Sequence, residues 1–243
     1  MNKKRGWIGL LILLVFWQLA HWIIDPRLIP SPMSTLSKLG QLLLSGELVM
    51  HSAVSLYRLF FAVLLALIVG VSVGLLMGMH KRIDEILAPV VYILYPVPKV
   101  ALLPILFVLF GLGDLSKIIL LWLILFFQLV LSVYDSVKNM SQDIFLSAKT
   151  LGLTRRELYI HIVLPAILPN VLSALKTSIG IGIAVLFFAE TYATQKGLGY
   201  FIMNNWSLLN YEAMYSGIIV LGAIGYILFS CIDYIKYTLV KWV

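Results

Sequence analysis

The sequence predicts an all-α integral membrane protein that crosses the bilayer six times. Three observations carry that expectation. Of 243 residues, 61% are hydrophobic and only 12% charged, with a mean hydropathy of +1.01, a composition no ordinary soluble domain shows. Six apolar segments, roughly 6–24, 55–79, 87–110, 115–136, 166–190 and 213–235, approach or exceed the ~20 residues that a spanning helix needs. These runs are long and do not alternate in polarity, unlike the strands of a membrane barrel.

The segments differ in detail. Lys3, Lys4 and Arg5 precede the first apolar run, which is longer than a signal-peptide core and is followed by no small-x-small cleavage pattern, so it reads as a retained span. Trp17, Trp22 and Asp25-Pro26 mark its interfacial end. The outer loop that follows carries Leu28-Ile-Pro-Ser-Pro32, then a stretch over 33–48 with Leu36, Leu39, Leu43 and Leu44 at helical spacing, suited to lying along the outer surface. Gly70, Gly74 and Gly78 form a small-x3-small ladder on span two, and Gly180 and Gly182 add small residues to span five, both favouring close helix approach.

Span three is interrupted by Pro96, Pro98 and Pro104. Irregular backbone at membrane depth survives only where it is buried in protein or lines a cavity, so residues 96–104 are expected on a solute pathway. Lys99 within them is placed either to attract an anion or to pair with a carboxylate. Glu190, near the outer end of span five, is one of few acids in apolar sequence and is a functional candidate, with a structural ion pair or hydrogen bond as the competing reading. Gln128 and Ser178 are further pathway candidates, with Asn170 and Thr177 behind them.

Lys and Arg set the orientation. With the N-terminus inside, Lys3, Lys4, Arg5, Lys81, Arg82, Lys138, Lys149, Arg155, Arg156, Lys236 and Lys241 all fall on the cytoplasmic side, and both termini are expected there. The net charge of +7 is then largely topological, which leaves a nucleic-acid role little to explain. Cys231 stands alone, so no intrachain disulfide is possible. His21, His51, His80 and His161 are scattered without ligand spacing, and no metal site is expected. An intramembrane hydrolase lacks a nucleophile with a matched base.

The polar stretch 139–165 is the most distinctive segment. Ser141 is placed to cap a helix running to about Leu151, and Gly152 fits the left-handed position after its end. Thr154-Arg-Arg-Glu157 has capping-box spacing, with Leu153 and Leu158 placed as a hydrophobic staple. A second short helix is expected from Arg155 to about Leu164, ended by Pro165. The whole is a single membrane domain over 1–243, with this folded cytoplasmic loop inside it.

The same stretch resembles the cytoplasmic "EAA" signature of ABC-importer permeases, E-A-A-x3-G-x9-I-x-L-P. It stands here as Leu146-Ser-Ala148, Gly152, and Ile162-Val-Leu-Pro165, with Leu146 in place of the usual glutamate and Asp143 one turn earlier as a substitute. Leu28-Ile-Pro-Ser-Pro32, Pro96-Val-Pro98-Lys-Val-Ala-Leu-Leu-Pro104, Phe110-Gly-Leu-Gly113, Ala189-Glu190, Gly197-Leu-Gly199-Tyr200, Asp233 and Trp242 extend the resemblance to the nitrate/sulfonate/taurine-type permeases over nearly the whole chain.

That resemblance implies a type I ABC-importer permease fold in a bacterial cytoplasmic (inner) membrane. Its coupling loop, through Asp143, Ala148, Gly152, Leu153, Thr154, Glu157, Ile162 and Pro165, would dock on a separate ATPase present in two copies. The other implied partners are a second permease chain, by default an identical one, and an extracytoplasmic solute-binding protein. The chain has no G-x4-G-K-[ST] loop, so no cofactor is expected on it, with ATP and Mg on the partner. The solute implied is a small organic anion of the sulfonate, taurine or nitrate type, or a vitamin precursor such as a thiamine pyrimidine or riboflavin. A secondary transporter is the alternative; it predicts coupling acids inside spans and often an inverted repeat.

Overall fold

The structure, a computed structural model, describes residues 3–240, with side chains from residue 8 onward. Trp242 and Lys241 lie outside the described residues. The described backbone is helical apart from short connections. α1 is Lys3–Ile23 and α2 Pro32–Leu44. α3 combines Glu47–Leu65, a π-helical stretch Ala66–Gly70 and Val71–Met79. α4 is Lys81–Leu94, and α5 joins the 3-10 turn Lys99–Leu102 to Leu103–Phe110. α6 is Asp114–Lys138 and α7 Gln142–Thr150. α8 runs from Arg155–Glu157 through π-helical Leu158–Val163 into Leu164–Glu190. α9 is Leu198–Ser207 and α10 Tyr211–Leu239.

Four of these, α3, α6, α8 and α10, are long and apolar enough to cross a membrane, and the α4–α5 pair makes a fifth if counted as one bent span. The apolar part of α1, Ile8–Ile23, is shorter. Span three is broken where its prolines predict: α4 and α5 meet at an 85° bend, where Pro96 and Pro98 remove two backbone donors. One expectation needs correction. The second loop helix does not stop at Pro165 but continues as α8. The Leu164 N–H donates to the Tyr159 carbonyl, five residues back. This wider turn relieves the clash that a proline ring makes with the carbonyl four residues earlier, so the helix passes through.

The chain packs as two compact units, the described parts of Met1–Leu56 with Glu190–Ala223, and of Tyr57–Ala189 with Ile224–Val243. In the first, the proline loop is tied down by polar side chains. Trp17 donates from Nε1 to the Pro30 carbonyl at 3.1 Å. Ser31 caps α2 by accepting the Ser34 N–H at 3.1 Å, with Pro32 in the first turn. Ser216 on α10 donates to the Thr35 carbonyl at 3.2 Å.

In the second unit α6 is the central helix. Leu120, Leu121, Leu125, Leu129, Val130 and Val133 on it are fully buried. The glycine ladder of α3 lies directly on it. A Cβ at Gly74 would sit 2.7 Å from both the Val130 carbonyl oxygen and Val133 Cβ, and one at Gly78 would sit 2.7 Å from Val137 Cβ. Only hydrogen side chains at these two positions permit this approach. From α8, Leu172, Leu175, Ile179 and Leu186 complete the same core.

Candidate functional site

The corner between α7 and α8 is built by its own backbone. Ser141 caps α7, accepting the Asp143 N–H at 3.2 Å. At the other end Leu153 N–H donates to the Ala148 carbonyl and Gly152 N–H to the Lys149 carbonyl, both at 3.1 Å, the two bonds of a Schellman turn. Gly152 has φ +73°, the left-handed conformation that closes it. Thr154 then starts α8 with a complete capping box: its N–H and hydroxyl both donate to Glu157 Oε2, at 2.8 and 2.7 Å, while the Glu157 N–H donates to Thr154 Oγ1 at 3.3 Å. Ile162 and Pro165 follow on α8 and are half-buried.

One face of α7 is anchored. Ala148 is buried, and Phe145 packs against the buried cluster that includes Val137 and Val163. The opposite face is open. Leu151 is 77% and Leu146 61% exposed, and with Asp143, Ser147 and Thr150 they line a shallow groove of about 430 Å³. Leu151, at the end of α7, faces outward. A rigid corner thus presents an apolar, partly acidic surface.

The expected pathway residues do not gather in one place. Pro96, Pro98 and Pro104 are exposed around the bend. Lys99 donates from Nζ to the Leu94 carbonyl at 2.8 Å and also to the Tyr95 carbonyl, and lies 4.5 Å from the Phe127 ring centroid. Its ammonium therefore caps the carbonyls that the bend frees at the end of α4. Ser178 is buried, and its hydroxyl has no hydrogen-bond partner among the described residues.

Gln128 does face open space, in a cleft of about 670 Å³ between α4, α6 and α8. Its wall includes Tyr95, Ser132, Asp135, Asn170 and Thr177, and Tyr95 donates to Gln128 Oε1 at 3.2 Å. Ser132, Asp135 and Asn139 are not among the residues that the sequence singles out. The signal for them is periodicity: Gln128, Ser132, Asp135 and Asn139 stand on one face of α6 at intervals of four, three and four, as Asn170, Ser173 and Thr177 do on α8 at three and four.

Glu190 sits in a different setting. It is completely buried, and Ser55 donates its hydroxyl to the carboxylate at 2.8 Å. Gly199 N–H donates to the same oxygen at 2.9 Å. Ser55 in turn accepts the Leu198 N–H at 2.8 Å, and His51, one turn earlier on α3, accepts the Gly197 N–H on Nδ1 at 3.1 Å. His51 must then carry its proton on Nε2. Gly197 has φ +113°, and a side chain there would overlap the Glu190 carboxylate. The arrangement orders the segment between α8 and α9 around a buried acid.

Apolar spanning helices, a bent proline span, a polar cleft and a capped corner between spans define a multi-pass membrane transport component. The chain belongs to the family described as binding-protein-dependent transport system inner membrane component, whose pattern matches residues 62–243. It is 31% identical to the taurine transport system permease protein TauC of Escherichia coli, over 95% of this chain and 86% of that protein. It is 26% identical to the formylaminopyrimidine transport permease protein ThiX of Halalkalibacterium halodurans, over 96% of this chain and 93% of the relative. Its fold matches a chain of the MetNI methionine ABC transporter in inward-facing form, with a TM-score of 0.69 and 17% identity over 79% of this chain and 95% of that one. The family is one of ABC-importer permeases, transport components of the membrane rather than enzymes.

Proposed function

We propose that the chain is the solute-conducting subunit of an ATP-driven importer and that α7 with Gly152 is its contact with a separate ATPase. The observation that carries this reading is the corner itself, locally capped at every end yet exposing Leu146 and Leu151. Caps of this kind stabilise a corner by about 1–2 kcal/mol. Driving a gate from about 1:99 to 99:1 needs roughly 5.5 kcal/mol of state-dependent binding, and a corner that frayed would dissipate it. Since α8 continues unbroken from the capping box into its span, displacement of the corner moves that span directly.

Further parts of the reading follow from the family. The transporter comprises two permease chains, two ATPases that hold ATP and Mg, and an extracytoplasmic binding protein. This chain binds no cofactor and hydrolyses no ATP. It crosses the cytoplasmic membrane six times, α1 and the bent α4–α5 pair each counting as one span, with both termini inside. Asp143, exposed on the α7 groove, takes the place of the glutamate that Leu146 replaces. The polar cleft of α6 and α8 is a section of the solute path, and the solute is a small organic molecule of the classes that the TauC and ThiX relatives are named for.

The test is ATP hydrolysis in lipid nanodiscs with the partner ATPase and solute-loaded binding protein. Solute-dependent stimulation is expected. Gly152→Val, which forces a β-branched residue into the left-handed region at a cost of about 1–2 kcal/mol, is expected to insert normally but lose that stimulation. Full stimulation in the variant would refute the role given to the corner.

A further inference from the structure

The wall of the α4–α6–α8 cleft is rich in hydrogen-bonding groups and carries one charged side chain, the carboxylate of Asp135. Asp135 is exposed and has no ion-pair or side-chain hydrogen-bond partner among the described residues. Three lysines on α5, α8 and α10 have hydrogen-bond partners other than Asp135. Lys99 caps the Leu94 and Tyr95 carbonyls. Lys176 is 2.7 Å from both carboxylate oxygens of Asp233. Lys236 donates to Ser173 Oγ at 2.8 Å and keeps its charge, with two further N–H donors.

The one charge on the wall itself that an entering solute would meet is this carboxylate. A group bearing N–H donors would meet the Asp135 carboxylate, with side-chain oxygens of Ser132, Asn170 and Thr177 on the same wall as further acceptors. We propose that the cleft recognises the amino or ammonium end of its solute, with Asp135 as the acceptor that determines selectivity, and that solutes lacking an N–H donor are disfavoured there. The inference rests on reading the cleft as part of the solute path. It narrows the solute to amines, aminated heterocycles and zwitterions.

The test uses the chain in nanodiscs and applies whichever solute the chain carries. Cys231, the single cysteine, is replaced by serine, and Ser132→Cys places a thiol on the cleft wall. Its labelling rates are compared for 2-aminoethyl methanethiosulfonate, whose ammonium carries N–H donors, and its anionic sulfonato-ethyl analogue, each normalised to free cysteine. A unit charge at ~6 Å in water biases the two signs by roughly tenfold relative to one another, so cationic labelling is expected to be faster by about that factor. Asp135→Asn is expected to bring the ratio back to about one. Ethylammonium, and not ethanesulfonate at equal concentration, is expected to slow the labelling.

Equal or anion-favoured rates, a ratio that Asp135→Asn leaves unchanged, or failure of both reagents to reach the thiol would each overturn the proposal. If the labelling behaves as expected while no ATPase associates with the chain, the recognition stands and the importer reading falls. The two are thus separable.

Discussion

Glu190 and Asp135 are both acids on the membrane helices of this chain, and they are held in opposite ways. Glu190 is wholly buried, with the Ser55 hydroxyl and the Gly199 N–H directed at its carboxylate. Asp135 is exposed on the wall of a cleft and has nothing donated to its carboxylate from the described residues. A charge that the protein itself solvates with fixed donors is structural, since moving it would break those bonds. A charge left facing open, polar space is available to something that arrives. What separates the two is the supply of donors, and membrane depth alone does not reveal it.

This difference can be broken from the structural side first. Gly197→Val introduces a side chain where φ is +113° and where Cβ would overlap the Glu190 carboxylate. Backbone strain and overpacking together predict a loss of about 3–5 kcal/mol, read as a large drop in thermal unfolding temperature in detergent. Glu190→Gln keeps the shape but turns one acceptor into a donor facing the Gly199 N–H or the Ser55 hydroxyl. A loss of about 2 kcal/mol is expected, and an unchanged melting temperature would show that the network does not order this segment.

Ser55→Ala is the milder probe. It leaves the Leu198 N–H without its acceptor and removes one donor from the carboxylate, for about 1–2 kcal/mol. Asp135→Asn should leave stability within about 0.5 kcal/mol of the parent, as surface changes do, and act instead on solute transport. Should Asp135→Asn destabilise the chain as much as Glu190→Gln, the contrast between the two acids would vanish.

How far the sequence reveals these features depends on the range of the interactions. The caps at Ser141 and Thr154 and the left-handed Gly152 involve residues within a few positions of one another, and residue type and spacing alone locate them. The glycine ladder is legible as a close-approach face, although its partner α6 is not. Pro165 misleads because a proline's stopping effect can be absorbed by a π turn, and whether the backbone widens there depends on tertiary packing. Glu190 and Lys99 suggest solute contacts because each is a charge in apolar sequence. Their donors and acceptors include backbone groups and a serine on another helix, which no pattern in one segment displays. Asp135 looks like an ordinary acid beside a loop, though the polar stripe through Gln128, Ser132 and Asn139 has the period of a helix face.

The central claim is that the exposed corner of α7 transmits work from a separate ATPase. Its most direct test places a charge on that surface, Leu151→Asp, at a side chain that is 77% exposed and packs against no core. The variant is expected to fold and insert like the parent, with the same melting temperature, but to lose solute-stimulated ATP hydrolysis in nanodiscs and to release the ATPase on purification. Normal stimulation with the ATPase retained would contradict the account, because the engine would then be engaging the chain somewhere else.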